Sequence, residues 1–228
     1  MRDEELPLVR QLRLFSGMED VHFEELMKAA FLQTFPPQVD LIHEGDTPDF
    51  LYVVIEGGVE IYAQANERET TMMVACPIST FILAAVFTDE VYLMSARTMT
   101  KSRILMIPAE SVRAIFDKDP GFAKATAWEL AGEYRKMVKA QKNLKLRTAV
   151  ERLANYLLKE EGEDGVVHLT MDKRTLAAYL GMTPENLSRA FATLKPYGVK
   201  VVASRISLLN KDSLSALAKP NMLIDGRD

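Results

Sequence analysis

The chain has 228 residues, of which 48% are hydrophobic, and its formal net charge is −4. This length suits one large or two medium domains, and no apolar run reaches the roughly 18 residues that a membrane span requires. The single cysteine, Cys76, excludes an internal disulfide and an iron–sulfur cluster held by four of the chain's own cysteines. We therefore expect a reduced, cytoplasmic setting, and the acidic first five residues lack the apolar segment of a signal peptide.

The first elements are two short predicted helices, over residues 6–15 and 21–30, with Gly17 between them and Asp20 as the cap of the second. From residue 39 to residue 107 the pattern changes to short strands. Glu56, Gly57 and Gly58 form a turn between the predicted strands 50–55 and 59–62. Further strands are predicted over residues 70–75, 91–98 and 103–107. Several short strands at close spacing indicate a small barrel or jelly roll.

A long helical pattern follows Pro120 and continues to about Leu146. Its apolar residues recur at alternating spacings of four and three, which is the heptad pattern of a coiled coil. The stripe contains Ala123, Ala127, Leu130, Tyr134, Met137, Gln141 and Leu144. It could pack onto its own domain, but its charged flanks favour a two-stranded coiled coil and therefore a homodimer. Gln141 would weaken the coil and fix its register.

The next segment, residues 147–161, is predicted as an amphipathic helix that leads to a helix-turn-helix unit. Residues 173–180 form its first helix, Gly181 its turn, and Thr183 the cap of its second helix, with Pro184 at the first helical position. Two apolar runs, residues 199–202 and 205–208, follow as the strand pair of a wing. His168 falls in an earlier strand of the same wing.

The second helix presents three polar side chains on one face. Glu185, Ser188 and Arg189 lie at positions i, i+3 and i+4, opposite an apolar side formed by Leu187, Ala190, Phe191 and Leu194. In a major groove a carboxylate accepts from cytosine, Arg binds guanine through two hydrogen bonds, and Ser contacts either base of a pair. The pattern therefore predicts a DNA-recognition helix.

Charge supports this prediction, because the span from Lys173 to Arg205 carries six basic residues and one acid in an otherwise acidic chain. The alternative is a small helical domain with ordinary solvated charges. We predict that the DNA-contacting residues are Lys173, Arg174, Thr183, Glu185, Asn186, Ser188, Arg189 and Arg205. The predicted domains are residues 1–118, a dimerisation helix over 119–146, and a DNA-binding domain over 147–228.

These residues resemble the CRP/FNR family of bacterial transcription regulators over nearly the whole chain. The resemblance implies an α+β fold with a cyclic-nucleotide-binding-type β-roll, a long dimerisation helix and a C-terminal winged helix-turn-helix. In the roll the matching residues are Gly45-Asp46, Leu51-Tyr52, Gly57 and Val59-Glu60-Ile61-Tyr62. Glu185, Ser188 and Arg189 match the FNR-type recognition helix, which implies TTG half-sites in an inverted repeat and RNA polymerase as a partner. Ser188 would contact a thymine, and Arg189 with Glu185 would read the G·C pair.

The chain departs from the members of this family that bind cAMP. Those members bind the ribose with a Glu and the phosphate with an Arg. This chain has Leu83-Ala84-Ala85 where the Glu would be, and Met94, before Ser95-Ala96, where the Arg would be, so both residues are missing. Arg97 shares neither the position nor the strand face of the missing Arg. Because a buried phosphate needs a cationic or amide partner, we predict no physiological cyclic-nucleotide binding.

Three stretches, residues 81–85, 93–98 and 180–189, resemble the NnrR/DNR branch, which controls denitrification genes in response to nitric oxide. That resemblance implies an activator that senses nitric oxide or a related effector, with haem as a candidate cofactor. Among the three histidines we single out His43 as the candidate ligand, since His22 is expected at the surface and His168 in the wing. Cys76 is expected to be a buried, inert thiol. A cyclic-nucleotide signalling module or cAMP-responsive regulator remains the alternative, and no motif indicates an enzyme.

Overall fold

The computed structural model describes residues 6–66, 68–162 and 164–226. The chain forms two compact units that divide between Glu133 and Tyr134. A β-roll with flanking helices makes up the first unit, and a helix-turn-helix with a small wing makes up the second. The predicted α+β architecture is confirmed. None of the helices in this described part of the chain combines the length and the apolar character that crossing a membrane would need.

The strands of the roll form two four-stranded antiparallel sheets. In chain order they are β1 (Phe31–Phe35), β2 (Asp40–Ile42), β3 (Phe50–Glu56), β4 (Val59–Ala65), β5 (Arg68–Ala75), β6 (Ser79–Phe81), β7 (Ser95–Thr98) and β8 (Ser102–Pro108). One sheet has the order β1-β8-β3-β6 and the other β2-β7-β4-β5. Because side chains alternate along a strand, Ile61 and Ala96 point into a shared core with Tyr52 and Ile104.

The predicted strand over residues 91–98 is confirmed only from Ser95 onwards. Tyr92 is held in a loop instead, where its N–H donates to the Asp46 carbonyl and its own carbonyl accepts from Gly45. The turn predicted at Gly57 is confirmed. Gly57 adopts φ +88°, and a Cβ there would overlap Ser102 and the Lys101 carbonyl oxygen.

The helices of the first unit cover one side of the roll. They are α1 (Leu6–Arg10), α2 (Arg13–Ser16), α3 (Asp20–Lys28), α4 (Leu83–Thr88) and α5 (Ala109–Lys118). The single helix predicted over residues 6–15 was wrong, because Leu12 is extended and separates two helices. Asp20 does not cap α3, since Glu19 holds the N-cap position and Asp20 pairs with Arg10 at 2.8 Å.

The long helix is α6 (Pro120–Leu146), and the residue before it anchors its start. The buried Asp119 carboxylate accepts hydrogen bonds from the Phe122 N–H at 2.8 Å, the Glu19 N–H at 2.9 Å and His22 Nδ1 at 2.8 Å. The prediction that His22 lies at the surface was therefore wrong, because this half-buried ring is held by Asp119. At Gly121 the backbone comes so close to Gly17 that a Cβ would overlap the Gly17 carbonyl oxygen.

The second unit continues from α6 into a winged helix-turn-helix. Its elements are α7 (Ala149–Lys159), β9 (Val166–His168), α8 (Lys173–Tyr179), α9 (Pro184–Leu194), a 3-10 turn (Lys195–Tyr197), β10 (Val199–Val202), β11 (Arg205–Leu208), α10 (Lys211–Ala218) and α11 (Met222–Asp225). The three strands pair in the order β10-β11-β9, which confirms the predicted wing. Thr148 and Glu151 form a capping box that begins α7. The predicted domain boundaries lie where α5 and α6 end, at Lys118 and Leu146.

Candidate nucleic-acid interface

Helix α9 has one buried face and one exposed face. Thr183 caps its start by accepting a hydrogen bond from the Asn186 N–H at 3.3 Å, and Pro184 occupies the first turn. The buried face packs into the core of the second unit through Leu187, Ala190, Phe191 and Leu194. This packing fixes which side chains the helix can offer to a ligand.

The exposed face carries Glu185, Ser188 and Arg189 together, with Asn186 beside them. The N–H of Glu185 itself and the Thr183 hydroxyl hold the pKa of the Glu185 carboxyl below its ordinary value, and the charge of Arg189 adds to the effect. Glu185 is therefore an ionised acceptor at neutral pH. The Ser188 hydroxyl donates to the Pro184 carbonyl at 3.0 Å, so it must rotate to donate to a base.

The remaining predicted DNA contacts lie on neighbouring elements. Lys173 and Arg174 are exposed at the start of α8, which Asp172 caps by accepting from the Thr175 N–H at 2.8 Å. Arg205 is exposed on the wing strand β11, where Asp164 lies 3.9 Å away. Lys173 and Arg174 thus precede α9 in the chain and Arg205 follows it, and all three residues are exposed.

The predicted dimerisation residues differ in exposure. Tyr134 is 69% exposed, Met137 71% and Leu144 48%, and Ala127 and Gln141 are also exposed. Leu130 is instead partly buried against the core of the first unit. We call the heptad stripe of α6, from Ala123 to Leu144, the seam. An isolated copy leaves three large side chains of the seam, those of Tyr134, Met137 and Leu144, in water. The sequence interpretation did not single out Trp128, which is also exposed on α6 and has the Arg13 guanidinium 5.7 Å from its ring centroid.

The interior of the roll is filled by side chains. Tyr52 and Phe81 stack with their ring centroids 5.5 Å apart, and Ala96 beside them is fully buried. Burial raises the pKa of Tyr92 to about 12, and its hydroxyl donates to the Phe50 carbonyl at 3.2 Å. Tyrosine hydroxyls at the edge of this core are thus already used in internal hydrogen bonds.

Arg97 lies on the outer face of its sheet, away from that interior. Its guanidinium contacts Glu60 at 2.9 Å and Glu69 at 2.6 Å and stacks on the Tyr62 ring with a centroid distance of 4.3 Å. The hydrogen bonds to Glu69 raise the pKa of Arg97, although burial alone would lower it. Arg97 is therefore committed to a carboxylate network on the outside of the roll.

The candidate haem ligand, His43, lies at the surface of the first unit. His43 is exposed at the end of β2, next to the exposed acids Glu44 and Asp46. A haem needs apolar walls around its ring, so these residues do not fit a haem in this conformation. Cys76 is exposed, and the prediction of a buried thiol was wrong because the residue lies beyond the end of β5.

Two arginines that the sequence interpretation missed lie at the base of the helix-turn-helix. Arg152 on α7 donates from Nε to the Leu180 carbonyl at 2.8 Å and from Nη2 to the Gly181 carbonyl at 3.2 Å. Arg147, between α6 and α7, binds Asp225. A half-buried Arg such as Arg152 on an amphipathic helix carries no sequence signal of its partners when these are distant backbone carbonyls.

Each of the two units contains a segment that matches a known protein family. The family described as "Cyclic nucleotide-binding domain" matches residues 32–119, and the family described as "Crp-like helix-turn-helix domain" matches residues 151–217. The nitrogen fixation regulation protein FixK of Azorhizobium caulinodans is 26% identical over 78% of this chain and 74% of its own length.

Solved structures share the fold at lower identity. FixK2 from Bradyrhizobium japonicum is 24% identical with a TM-score of 0.72, over 82% of this chain and 96% of its own. DNR from Pseudomonas aeruginosa is 23% identical with a TM-score of 0.53, over 95% of this chain and 98% of its own.

Proposed function

Because the chain belongs to the CRP/FNR family of transcription regulators, we propose that it acts as a homodimer that binds an inverted repeat with TTG half-sites. The observation that carries this proposal is the shared exposed face of Glu185, Ser188 and Arg189 on α9. Arg189 would bind guanine through two hydrogen bonds, Glu185 would accept from the paired cytosine, and Ser188 would contact the adjacent thymine. Lys173, Arg174 and Arg205 would bind phosphates and fix the register.

The dimer follows from the seam of α6. Tyr134, Met137 and Leu144 are large apolar side chains that one copy leaves in water, and a second copy of the same helix would cover them. A two-fold axis along this seam would relate two α9 helices. Such a pair reads half-sites whose centres are roughly one helical turn, about 10 base pairs, apart.

We further propose that the roll senses a small effector other than a cyclic nucleotide, and that nitric oxide or a related nitrogen oxide is this effector. Leu83-Ala84-Ala85 and Met94 supply neither the carboxylate nor the guanidinium that a cyclic nucleotide needs. Arg97 does not replace the missing cation, since it is paired with Glu60 and Glu69 on the outer face. Effector binding would shift the population of DNA-competent dimers, and these would activate transcription with RNA polymerase.

The effector has a direct test. Purified protein is titrated with ferrous haem, with and without a nitric oxide donor, and the absorbance is recorded. A saturable Soret band that shifts with nitric oxide supports a haem sensor, in which case a residue other than His43 or a rearranged roll supplies the pocket. The absence of a saturable band contradicts haem and leaves the DNA-binding proposal intact.

The alternative is a cAMP-responsive regulator. The match to the cyclic nucleotide-binding family supports this alternative. Isothermal titration with cAMP separates the two: saturable binding at micromolar concentration would support the alternative and contradict the proposed effector class.

DNA binding is tested by fluorescence anisotropy with a labelled duplex that carries the TTG inverted repeat and a matched duplex in which both half-sites are scrambled. At one fixed salt concentration we expect the repeat to bind at least about 1,000-fold more tightly, as specific regulators do. Equal affinity for the two duplexes would contradict the proposed recognition.

A further inference from the structure

A short segment that includes α11 folds back onto the second half of α6. We call residues Asn221–Gly226, which include α11, the C-terminal clasp. Two lysines of α6 bind its backbone: Lys139 Nζ donates to the Gly226 carbonyl at 2.9 Å and Lys142 Nζ to the Leu223 carbonyl at 3.4 Å. Asn221 organises the clasp itself, because its side-chain oxygen accepts from the Leu223 N–H at 2.8 Å.

The central contact of the clasp is an ion pair between Asp225 and Arg147. Arg147 Nη1 and Nη2 donate to the two oxygens of Asp225 at 2.7 and 2.5 Å, which is the two-pronged geometry that fixes direction as well as distance. The Arg147 side chain is only 7% exposed and that of Asp225 25%. Burial alone would raise the pKa of the Asp225 carboxyl, but the hydrogen bonds from Arg147 and the Asn221 N–H hold that pKa below its ordinary value.

Contacts continue from Arg147 to the turn before the recognition helix. The Arg147 carbonyl accepts from Arg152 Nη1 at 2.7 Å. The same Arg152 guanidinium binds the Leu180 and Gly181 carbonyls, and Gly181 lies against Leu144 with φ +64°. Thr183, two residues further on, caps α9. The clasp is thus joined to the base of α9 through two arginines rather than through the loop between α6 and α7 alone.

The clasp also leaves the seam of α6 open. Lys139 and Lys142 share one side of the helix with Asn143, whose side-chain oxygen accepts from Arg147 Nη1 at 3.1 Å. At about 100° per residue, this side is roughly opposite the one formed by Met137, Gln141 and Leu144. A second copy can therefore cover the seam while each copy keeps its own clasp.

We propose that the clasp, through the Asp225–Arg147 pair, positions each winged helix-turn-helix on the C-terminal half of α6 and thereby sets the half-site spacing that the dimer accepts. This inference rests on the proposed homodimer and its inverted repeat. A dimer whose two recognition helices are held rigidly binds well only when both half-sites match their separation and rotation. One inserted base pair rotates a half-site by roughly 35°, since a turn holds about 10 base pairs. A loosened junction would tolerate that rotation but would bind the best spacing less tightly.

The test compares the wild-type protein with Asp225→Asn on fluorescein-labelled duplexes that carry TTG and CAA half-sites at the best spacing and with one base pair added or removed. Asp212→Asn is the matched control. Asp212 is exposed on α10, and its substitution makes the same chemical change in the same unit. Circular dichroism and sedimentation velocity establish that each variant is folded and dimeric. If Asp225→Asn does not fold, Asn221→Ala, which removes only the internal cap of the clasp, is judged by the same measurement.

For wild type and Asp212→Asn we expect the insertion to weaken binding on the order of 100-fold. For Asp225→Asn we expect binding to the best spacing to weaken roughly tenfold and the insertion penalty to fall below about fivefold. A folded, dimeric Asp225→Asn protein with the wild-type insertion penalty would overturn the clasp inference and leave the proposed function standing. A wild-type protein with no preference for the inverted repeat would overturn the proposed function, and the clasp inference with it.

Discussion

Replacing Asp119 with alanine should strongly destabilise the first unit. The buried carboxylate accepts three hydrogen bonds, two of them from backbone N–H groups that start α6 and precede α3. Each hydrogen bond to a charged group contributes about 1.5–3 kcal/mol net, and removing the acceptor leaves buried donors unpaired. Relief from burying a charge offsets part of this loss. We expect the free energy of unfolding to fall by about 3–5 kcal/mol.

The assay is urea unfolding at a fixed protein concentration, followed by circular dichroism and by the fluorescence of Trp128, the only tryptophan of the chain and a residue of the same unit. Glu110→Ala, at an exposed position on α5, is the matched control and should change the free energy of unfolding by less than about 0.5 kcal/mol. A loss below about 1 kcal/mol for Asp119→Ala would refute the assignment of Asp119 as the anchor of α6.

The same contact predicts a pH dependence. Burial alone would raise the pKa of the Asp119 carboxyl, but hydrogen bonds from the Phe122 and Glu19 N–H groups and from His22 hold it below its ordinary value. The ionised Asp119 carboxylate stabilises the folded state through these hydrogen bonds. This stabilisation is fully present above the unfolded-state pKa, about 3.9, and is lost as the pH falls towards the folded-state pKa. The difference in free energy of unfolding between wild type and Asp119→Asn should therefore shrink below about pH 4. A difference that is constant from pH 7 to pH 3 would contradict this reasoning.

Three further predictions concern the seam, the recognition helix and the roll. Tyr134→Asp with Met137→Asp should yield monomers in sedimentation velocity, whereas Glu129→Lys on the same helix should not; persistent dimers would place the interface elsewhere. Arg189→Ala should weaken binding to the repeat by ~1–3 kcal/mol and relax the preference for guanine in fluorescence anisotropy. An unchanged preference would remove Arg189 from base recognition. Gly57→Ala should lower the melting temperature because it forces a Cβ onto Ser102, and an unchanged melting temperature would contradict the close contact.

Local patterns predicted much of the fold. The cap at Thr183 with Pro184, and the apolar side that begins with Leu187, defined α9 from residues about one turn apart. The turn at Gly57 between two apolar runs likewise defined the connection between β3 and β4, which belong to different sheets. In each case neighbouring residues determine the structure, so the sequence contains the whole signal.

Contacts between distant residues escaped prediction. His22 and Asp119 are 97 positions apart, and Arg147 and Asp225 are 78 positions apart, so no periodicity links them. Leu130 obeys the same heptad as Met137, yet it packs on the first unit. A heptad marks an apolar side of a helix, and the rest of the fold decides what covers each part of it.

The most direct test of the central claim is selection of the wild-type protein's preferred DNA from a random library, followed by sequencing. A dimer with Glu185, Ser188 and Arg189 on its recognition helices should enrich TTG and CAA in inverted orientation, with centres roughly one helical turn apart. Enrichment of a single half-site, of a direct repeat or of no sequence would contradict a two-fold dimer that reads DNA through α9.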